Sequence, residues 1–419
     1  MRGMIHRLEI ENFYSIREPQ MMDLRIGAKT PDEAGRFAAL EDGSGERAPK
    51  TVALYGANAS GKSNVLKAVS LLQLFLRESI QLPVGWLGSF PGFASAEQDG
   101  KPTRIRVHFD WARDLSGEDP GAAVERPPSQ HTSRNASLYV YEVQFKNSSD
   151  RAERLVLSET LRFQPAFGKS LRVFERNEAG KVRGGALFPT QKLGHILEKM
   201  RPDASLTSTI AQFAKHRPAE AIVAWAEGIS VNILSEKMEL DDRAVVGYYA
   251  GSAQMVEELN KVIDRVDLGI KSLSVVASAS GPVAIFNHHG LDRSIGLAVE
   301  SQGTKQFVKI FPTLKKALES GGIAVIDELD STIHPAFLPE ILRWFQDPKE
   351  NPRNAQLWFS GHSASLLEEL QKEEVFFTEK DGLGRTRIYG LKDIDAVRRS
   401  DNFYQKYMGG VYGAVPRIG

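Results

Sequence analysis

A glycine-rich turn holds the residues whose types and spacing most clearly suggest chemistry. Residues 56–63 read Gly-Ala-Asn-Ala-Ser-Gly-Lys-Ser, after a short apolar segment and before a helical pattern. Glycines let the backbone N–H groups of such a turn point inward at a phosphate, and the helix N-terminus adds a favourable dipole. In this pattern the lysine reaches the β- and γ-phosphates and the serine binds Mg²⁺. The sequence therefore predicts a site for ATP and Mg²⁺ with these contacts: Gly56, Asn58, Ser60, Gly61, Lys62, Ser63 and Asn64.

A pair of carboxylates ends an apolar run much later in the chain. Residues 322–328 read Gly-Ile-Ala-Val-Ile-Asp-Glu. A buried strand of this kind delivers its last residues to the carboxyl edge of a sheet, where doubly wound sheets bind ligands. We expect Asp327 to hold Mg²⁺ or its water, and Glu328 to orient and deprotonate the attacking water. Two adjacent acids alone are more common in a solvated loop, so the upstream phosphate loop is what favours catalysis.

A histidine follows the next predicted strand. Residues 354–360 are apolar enough for a buried strand, and Gly361, His362 and Ser363 come directly after it. A histidine at a strand end, one strand past the acidic pair, can contact a γ-phosphate. His362 is therefore a candidate catalytic residue, and the alternative is an ordinary surface histidine.

The hydrophobic pattern predicts the elements that position these residues. Alternation of apolar and polar residues indicates strands, and apolar residues at helical spacing indicate helices. We expect no long coiled coil, because no segment sustains heptads. The pattern predicts strands at 5–11, 51–55, 103–111, 137–145, 154–163 and 171–175, helices at 63–79, 190–228 and 253–267, a mobile loop at 117–135, short strands at 272–300, and alternating helix and strand over 301–390.

Composition excludes several classes of protein. The chain has 419 residues, no cysteine and a formal net charge of zero, so disulfides, thiolate metal sites and cysteine nucleophiles are excluded. No segment approaches the ~18 apolar residues that a membrane span needs, and the N-terminus does not resemble a signal peptide. We expect a cytoplasmic protein. A neutral charge balance does not indicate nucleic-acid binding, although it allows a local basic groove.

Together these motifs resemble the ABC-type ATPases of the SMC/RecF/OLD kind. Residues 56–63 resemble the Walker A motif. Residues 325–328 resemble the Walker B motif with its catalytic glutamate, and residues 329–331 resemble the D-loop. His362 is similar to the switch histidine, residues 8–15 to the first strand, and residues 300–304 (Glu-Ser-Gln-Gly-Thr) to a shortened signature before a helix. The Q-loop glutamine has two candidates, Gln144 and Gln164.

The resemblance implies a fold and an assembly. It implies an α/β ABC-type head with a mixed sheet, an antiparallel β lobe and a helical insertion, divided into 1–180, 181–270 and 271–419. In this family the signature of one subunit covers the ATP of the other, so Ser301 and Gly303 are expected to bind nucleotide across a homodimer or a larger homo-oligomer. A helix N-terminus at Ser301 suits a γ-phosphate, but it also fits an ordinary helix cap.

The C-terminal sequence resembles a narrower group. Residues 404–418 are similar to the tail of ATPases from bacterial anti-phage operons such as the PARIS system, which are often encoded beside a nuclease or toxin. The chain has little room for a nuclease after His362, so an effector protein is an expected partner and a phage protein a possible trigger. The alternatives are a RecF-like repair ATPase that binds DNA through Lys305, Lys309, Lys315 and Lys316, and an ATP-gated adaptor.

Overall fold

The phosphate loop extends from the middle of a parallel sheet. In this computed structural model the loop at 117–135 lies outside the described residues, which are 3–32, 34–40, 44–110, 138–146, 154–164, 169–233, 242–266, 269–279, 281–331, 333 and 337–415. The sheet has six strands, in the spatial order β11 (Ile229–Asn232), β15 (Ile323–Ile326), β16 (Gln356–Ser360), β5 (Thr51–Tyr55), β17 (Val375–Lys380) and β18 (Thr386–Gly390).

The first five strands of this sheet run parallel, and β18 returns antiparallel to β17. Every residue of β5, β15 and β16 is buried. Strands buried on both faces read as continuous apolar runs, which explains why the sequence showed no alternation there. The carboxyl ends of β5, β15 and β16 meet at one edge, and this edge carries the predicted motifs.

A second sheet is antiparallel and lies over the first. Its strands alternate buried and partly exposed residues, as expected for a sheet with one face on the core and one towards water. The strands predicted at 137–145, 154–163 and 171–175 are three neighbours in this sheet. The spatial order is β10 (Val182–Gly184), β9 (Leu171–Arg176), β8 (Val156–Gln164), β7 (Leu138–Phe145), β6 (Thr103–Asp110), β1 (Ile5–Glu11) and β2 (Gln20–Asp23).

Nine α-helices and five further strands complete the described part of the chain. Short 3₁₀ turns lie at Trp86–Ser89, Ala96–Gln98, Leu297–Val299, Ala364–Glu369 and Leu391–Asp393. The remaining elements are α1 (Lys62–Glu78), α2 (Gly194–Leu197), α3 (Leu206–Phe213), α4 (Arg217–Glu227), α5 (Asp242–Ala250), α6 (Ala253–Val266), α7 (Gln302–Ser320), α8 (Leu338–Gln346), α9 (Phe403–Met408), β3 (Phe37–Ala39), β4 (Arg47–Pro49), β12 (Ile270–Ser278), β13 (Gly281–His288) and β14 (Ile295–Gly296).

The helix that follows the phosphate loop is held between the two sheets. On β5, Val52 and Leu54 share one hydrophobic cluster with α1 and the antiparallel sheet. Ala53 and Tyr55 point to the opposite face and join a second cluster with α7 and α8. Because the sheet is covered on both faces, the loop at the end of β5 has a rigid base.

The expected helical insertion contributes to both sheets. β10 pairs with β9 in the antiparallel sheet, and β11 pairs with β15 at the edge of the parallel sheet. Helices α2 to α4 lie within the region predicted to be helical. The division into 1–180, 181–270 and 271–419 stays a proposal. Among the described residues, no helix is both long enough and apolar enough to cross a membrane.

Candidate functional site

Two glycines give the phosphate loop its shape. Gly56 and Gly61 have φ angles of +152° and +115°, which residues with side chains rarely adopt. A Cβ atom at Gly56 would lie 2.2 Å from the carbonyl oxygen of Thr378, and one at Gly61 would lie 2.4 Å from Oγ1 of Thr386. The loop therefore needs glycine at both positions to pass so close to β17 and β18.

Lys62 is folded back onto the loop that it follows. Its Nζ donates hydrogen bonds to the carbonyl oxygens of Gly56, at 2.8 Å, and Ala57, at 3.1 Å. Burial lowers the pKa of Lys62, while the nearby carboxylates of Asp327 and Glu328 act in the opposite direction. The ammonium group is thus held inside the turn where a phosphate would lie.

A network of hydroxyl groups ties the loop to its neighbours. Ser60 Oγ lies 2.6 Å from Thr378 Oγ1, and Thr386 Oγ1 donates to the carbonyl oxygen of Ser60 at 2.8 Å. Thr386 Oγ1 is also 2.7 Å from Ser15 Oγ, which accepts a hydrogen bond from Asn64 Nδ2 at 2.7 Å. Asn64 and Ser60 therefore help to position the loop in the structure.

The hydroxyl of Ser63 meets the first carboxylate of the acidic pair. Ser63 Oγ donates to Asp327 Oδ1 at 3.1 Å, although the two residues are 264 positions apart in sequence. Ser360 Oγ donates to the same carboxylate oxygen and accepts from the backbone N–H of Glu328 at 2.8 Å. A hydroxyl and a carboxylate are oxygen ligands that Mg²⁺ prefers, so this pair fits the expected metal.

Glu328 stands at the mouth of the site in an unusual backbone conformation. Its φ of +51° lies in the left-handed region, which is uncommon for a residue with a side chain and is found often at functional sites. Its carboxylate is half-exposed, and Oε1 lies 3.7 Å from His362 Nε2.

Asp330 Oδ2 accepts hydrogen bonds from the backbone N–H groups of His362, at 2.7 Å, and Ser363. The loop after β15 thus holds the loop after β16.

These residues surround one open cleft of about 720 Å³. The structure brings together residues from the ends of three neighbouring strands, as the sequence predicted. Two of the predicted residues do not line the cleft but contact residues that do. Asp327 accepts a hydrogen bond from Ser63, and the carbonyl oxygen of Gly56 accepts one from Lys62. The cleft is lined by Asn58, Ala59, Ser60, Gly61, Lys62, Ser63, Asn64, Glu328, His362 and Lys380.

Ser301 and Gly303 do not line the cleft of their own chain. Ser301 caps α7, because its Oγ accepts from the backbone N–H of Thr304 at 3.1 Å. Ser301 is exposed, and the first turn of α7 contains no acidic residue, whereas Glu300 directly precedes the cap. The structure therefore shows the helix cap, and Ser301 at its tip is exposed.

Several site residues gave no signal in the sequence. Ser360, Thr378 and Thr386 lie in strands as ordinary hydroxyl residues, and only the fold brings them to the loop. Lys380 ends β17 and lines the cleft. Neither Q-loop candidate lines it: Gln144 donates to Glu142 on its own strand, and Gln164 ends β8.

The fold and the cleft are those of a P-loop ATPase. The chain belongs to the family described as "AAA domain, putative AbiEii toxin, Type IV TA system", which matches residues 52–186 and 211–368. The matched residues include the phosphate loop, the acidic strand and His362. Members of this family are ATPases that use ATP and Mg²⁺.

Solved structures of SMC heads are distantly similar to this chain. An SMC head bound to the C-terminal winged-helix domain of ScpA is 12% identical, with a TM-score of 0.46 over 92% of this chain and 97% of that one. The head from Thermotoga maritima is 15% identical, with a TM-score of 0.36 over 93% and 99%. The head with coiled coil and joint from Pyrococcus yayanosii is 10% identical, with a TM-score of 0.45 over 98% and 100%. No curated protein matches the chain.

The contact between Ser63 and Asp327 leads to a prediction about Mg²⁺. Mg²⁺ is expected to increase the ATP affinity of the wild type, and Asp327→Asn is expected to lose most of this increase. The loss should be about tenfold or more, because an amide cannot supply the negative charge. Titration of a fluorescent ATP analogue with Mg²⁺ and with EDTA measures this gain. Asp347→Asn, an exposed position after α8, is the control. An unchanged Mg²⁺ effect in Asp327→Asn would contradict the assignment.

Proposed function

We propose that the chain is an ATP-binding and ATP-hydrolysing switch of an anti-phage defence system, which closes as a dimer around ATP and controls a separate effector. The main support is the meeting of Lys62, Ser63, Asp327, Glu328 and His362 around one cleft. A glycine turn and a helix N-terminus suit the phosphates. The acidic pair and the histidine are suited to contact the γ-phosphate, where hydrolysis occurs.

Each residue has a distinct role in this proposal. Lys62 exchanges its two carbonyl contacts for the β- and γ-phosphates, and Ser63 with Asp327 would hold Mg²⁺, which supplies charge neutralisation when bound. Glu328 is half-exposed and free to orient a water molecule and accept its proton. His362, 3.7 Å from Glu328, is placed to contact the γ-phosphate.

A second copy completes the site in this proposal. Glu328 and His362 line the cleft with partly exposed side chains, and Ser301, the cap of α7, is exposed elsewhere on the same chain. Ser301 and Gly303 of one protomer would bring N–H groups, a hydroxyl and a helix dipole to the γ-phosphate held by its partner. ATP then joins the two copies, and hydrolysis separates them, as in other nucleotide-dependent switches.

The defence context is supported by two independent resemblances. The family description names a putative AbiEii toxin and a toxin–antitoxin system. The tail at 404–418 is similar in sequence to ATPases of anti-phage operons. We therefore propose an effector, a nuclease or toxin encoded nearby, as the partner, with a phage protein as a possible trigger and the cytoplasm as the location.

Phage plating tests this function. Cells that carry the gene and its neighbouring genes are expected to reduce plating, and Lys62→Ala is expected to abolish the protection because the switch can no longer bind ATP. Deletion of the neighbouring effector gene should have the same effect. Equal plating with and without the intact genes, over a broad set of phages, would contradict a defence role.

Direct DNA binding is the competing function. It requires a basic groove near α7, but Lys315 pairs with Glu258 at 3.0 Å and Lys305 donates to the carbonyl oxygen of Ala298 at 2.6 Å. Lys305 and Lys315 are thus engaged within the chain. ATP-stimulated binding of duplex DNA that weakens steeply with salt would favour the repair function instead.

A further inference from the structure

The segment that leads into α7 carries a carboxylate directly before the helix cap. Glu300 precedes Ser301 in the chain, so the Cα atoms of the two residues lie about 3.8 Å apart. The side chain of Glu300 is only 5% exposed, whereas Ser301 is exposed. A carboxylate and a phosphate are both anions, and both are attracted to the N-terminal end of a helix. The position of the Glu300 carboxylate therefore matters for any anion that approaches this end of α7.

A histidine contacts the buried Glu300 carboxylate. His288 Nε2 lies 2.6 Å from Glu300 Oε1. An ionised carboxylate only accepts hydrogen bonds, so Nε2 carries a proton and donates it. The side chain of His288 is 19% exposed, so this contact is largely shielded from water. A hydrogen bond to a charged group is stronger than one between neutral groups. His288 thus stabilises the buried position of the Glu300 carboxylate.

The backbone before α7 has anchors of its own. Between His288 and Glu300 the chain returns to β13, because Ile295 of β14 pairs with Phe286. The backbone N–H of Glu300 donates to the carbonyl oxygen of Leu297 at 3.1 Å. The side chain of Leu297 is buried in the same hydrophobic cluster as α7 and α8. The His288 ring therefore acts on the side chain of Glu300 rather than on the path of the backbone.

Release of the Glu300 carboxylate would create a competitor at the N-terminal end of α7. The first N–H groups of a helix have no acceptor within the helix, and together with the dipole they attract anions. Ser301 Oγ accepts from the N–H of Thr304, whereas Gln302 and Gly303 come earlier in the first turn. A freed carboxylate one residue before the cap could occupy the place that the proposed dimer gives to a γ-phosphate.

We propose that His288 is a positioning residue, which keeps the Glu300 carboxylate buried so that the N-terminal end of α7 stays open to the γ-phosphate of ATP held by the partner subunit. The inference rests on the proposed dimer and adds to it a residue that does not touch the nucleotide. His288 acts through Glu300 and does not line the phosphate cleft of its own chain. ATP binding by one chain and ATP-dependent pairing of two chains should therefore respond differently to a change at His288.

The ATP-dependent dimer of Glu328→Gln is the assay. In this background His288→Phe keeps a ring on β13 but removes the donor. We expect dimerisation to weaken by about tenfold or more, because the freed carboxylate opposes the phosphate. Sedimentation equilibrium of the full chain with ATP and Mg²⁺ measures the dissociation constant of the dimer. His289→Ala is the matched control, because His289 is the next residue and is exposed.

Rescue separates this role from a merely structural one. His288→Gln keeps an N–H donor and is expected to dimerise within about threefold of the Glu328→Gln parent. His288→Phe combined with Glu300→Gln has no carboxylate to release, so it is expected to recover dimerisation. Packing lost with the imidazole would not be recovered by a change at Glu300. A fluorescent ATP analogue, titrated into dilute monomer, should bind all these variants within about twofold of the parent.

The outcomes of this experiment distinguish the inference from the proposed function. Parent-like dimerisation in folded His288→Phe, or an equal loss in the single and double variants, would overturn the role of His288 while leaving the dimer intact. His288→Ala, which also lacks the donor, takes the place of His288→Phe if circular dichroism shows the latter to be unfolded. A Glu328→Gln parent that stays monomeric with ATP and Mg²⁺ would overturn the proposed dimer itself, and the role of His288 with it.

Discussion

Glu328→Gln is expected to bind ATP normally and to hydrolyse it about 10² to 10⁴ times more slowly. Loss of a general base of this kind typically costs that factor. The amide keeps the size of the side chain, and Glu328 makes no contact with Lys62 or Ser63 that holds the loop. Since we propose that hydrolysis separates the two copies, we also expect the ATP-bound variant to accumulate as a dimer.

Two measurements follow this variant. Phosphate release under saturating ATP gives the turnover, and light scattering with ATP and Mg²⁺ gives the mass. Glu319→Gln is the control, because Glu319 is an exposed carboxylate at the end of α7, away from the cleft. Full turnover in Glu328→Gln would remove Glu328 from the catalytic role, whatever the mass.

Lys62→Ala is expected to lose nucleotide binding. The ammonium group is buried inside the turn and is the only cation among the described residues that donates to the carbonyl oxygens of the loop. Removing one member of a buried charge pair costs ~2–5 kcal/mol, which corresponds to about thirtyfold or more in dissociation constant. A fluorescent ATP analogue titrated into wild type and variant measures the loss.

Lys67→Ala separates this effect from a general loss of positive charge on α1. Lys67 lies on the same helix, with its Nζ over the ring of Tyr14 at 4.8 Å, and it does not line the cleft. Circular dichroism confirms that both variants are folded. Wild-type affinity in a folded Lys62→Ala protein would contradict the phosphate site.

The sequence predicted the parts of the site whose residues are close together in the chain. The glycine turn and α1 are adjacent in the chain, so the spacing of Gly56, Gly61 and Lys62 already determines much of their geometry. The same holds for Asp327 and Glu328 at the end of an apolar strand. Parallel strands end at one edge, which is why residues of β5, β15 and β16 could be expected to meet.

Contacts between distant segments could not be predicted in the same way. Ser15 and Thr386 are 371 positions apart, and Ser60 and Thr378 are 318 positions apart. A single serine or threonine in a strand gives no periodic signal, and its partner depends on which strands pair. The contribution of β11 to the parallel sheet was missed for a related reason, since four residues are too short to show a pattern.

Cross-linking tests the central claim most directly. The claim is that the phosphate loop of one chain and the Ser301 end of α7 in its partner bind the same nucleotide. The chain has no cysteine, so single substitutions report without background. Chains carrying Asn58→Cys are mixed with chains carrying Gln302→Cys, both in the Glu328→Gln background, and treated with a short bismaleimide. We predict a linked species of twice 46.4 kDa only when ATP and Mg²⁺ are present. Unlinked chains in a mixture that binds ATP would contradict the claim.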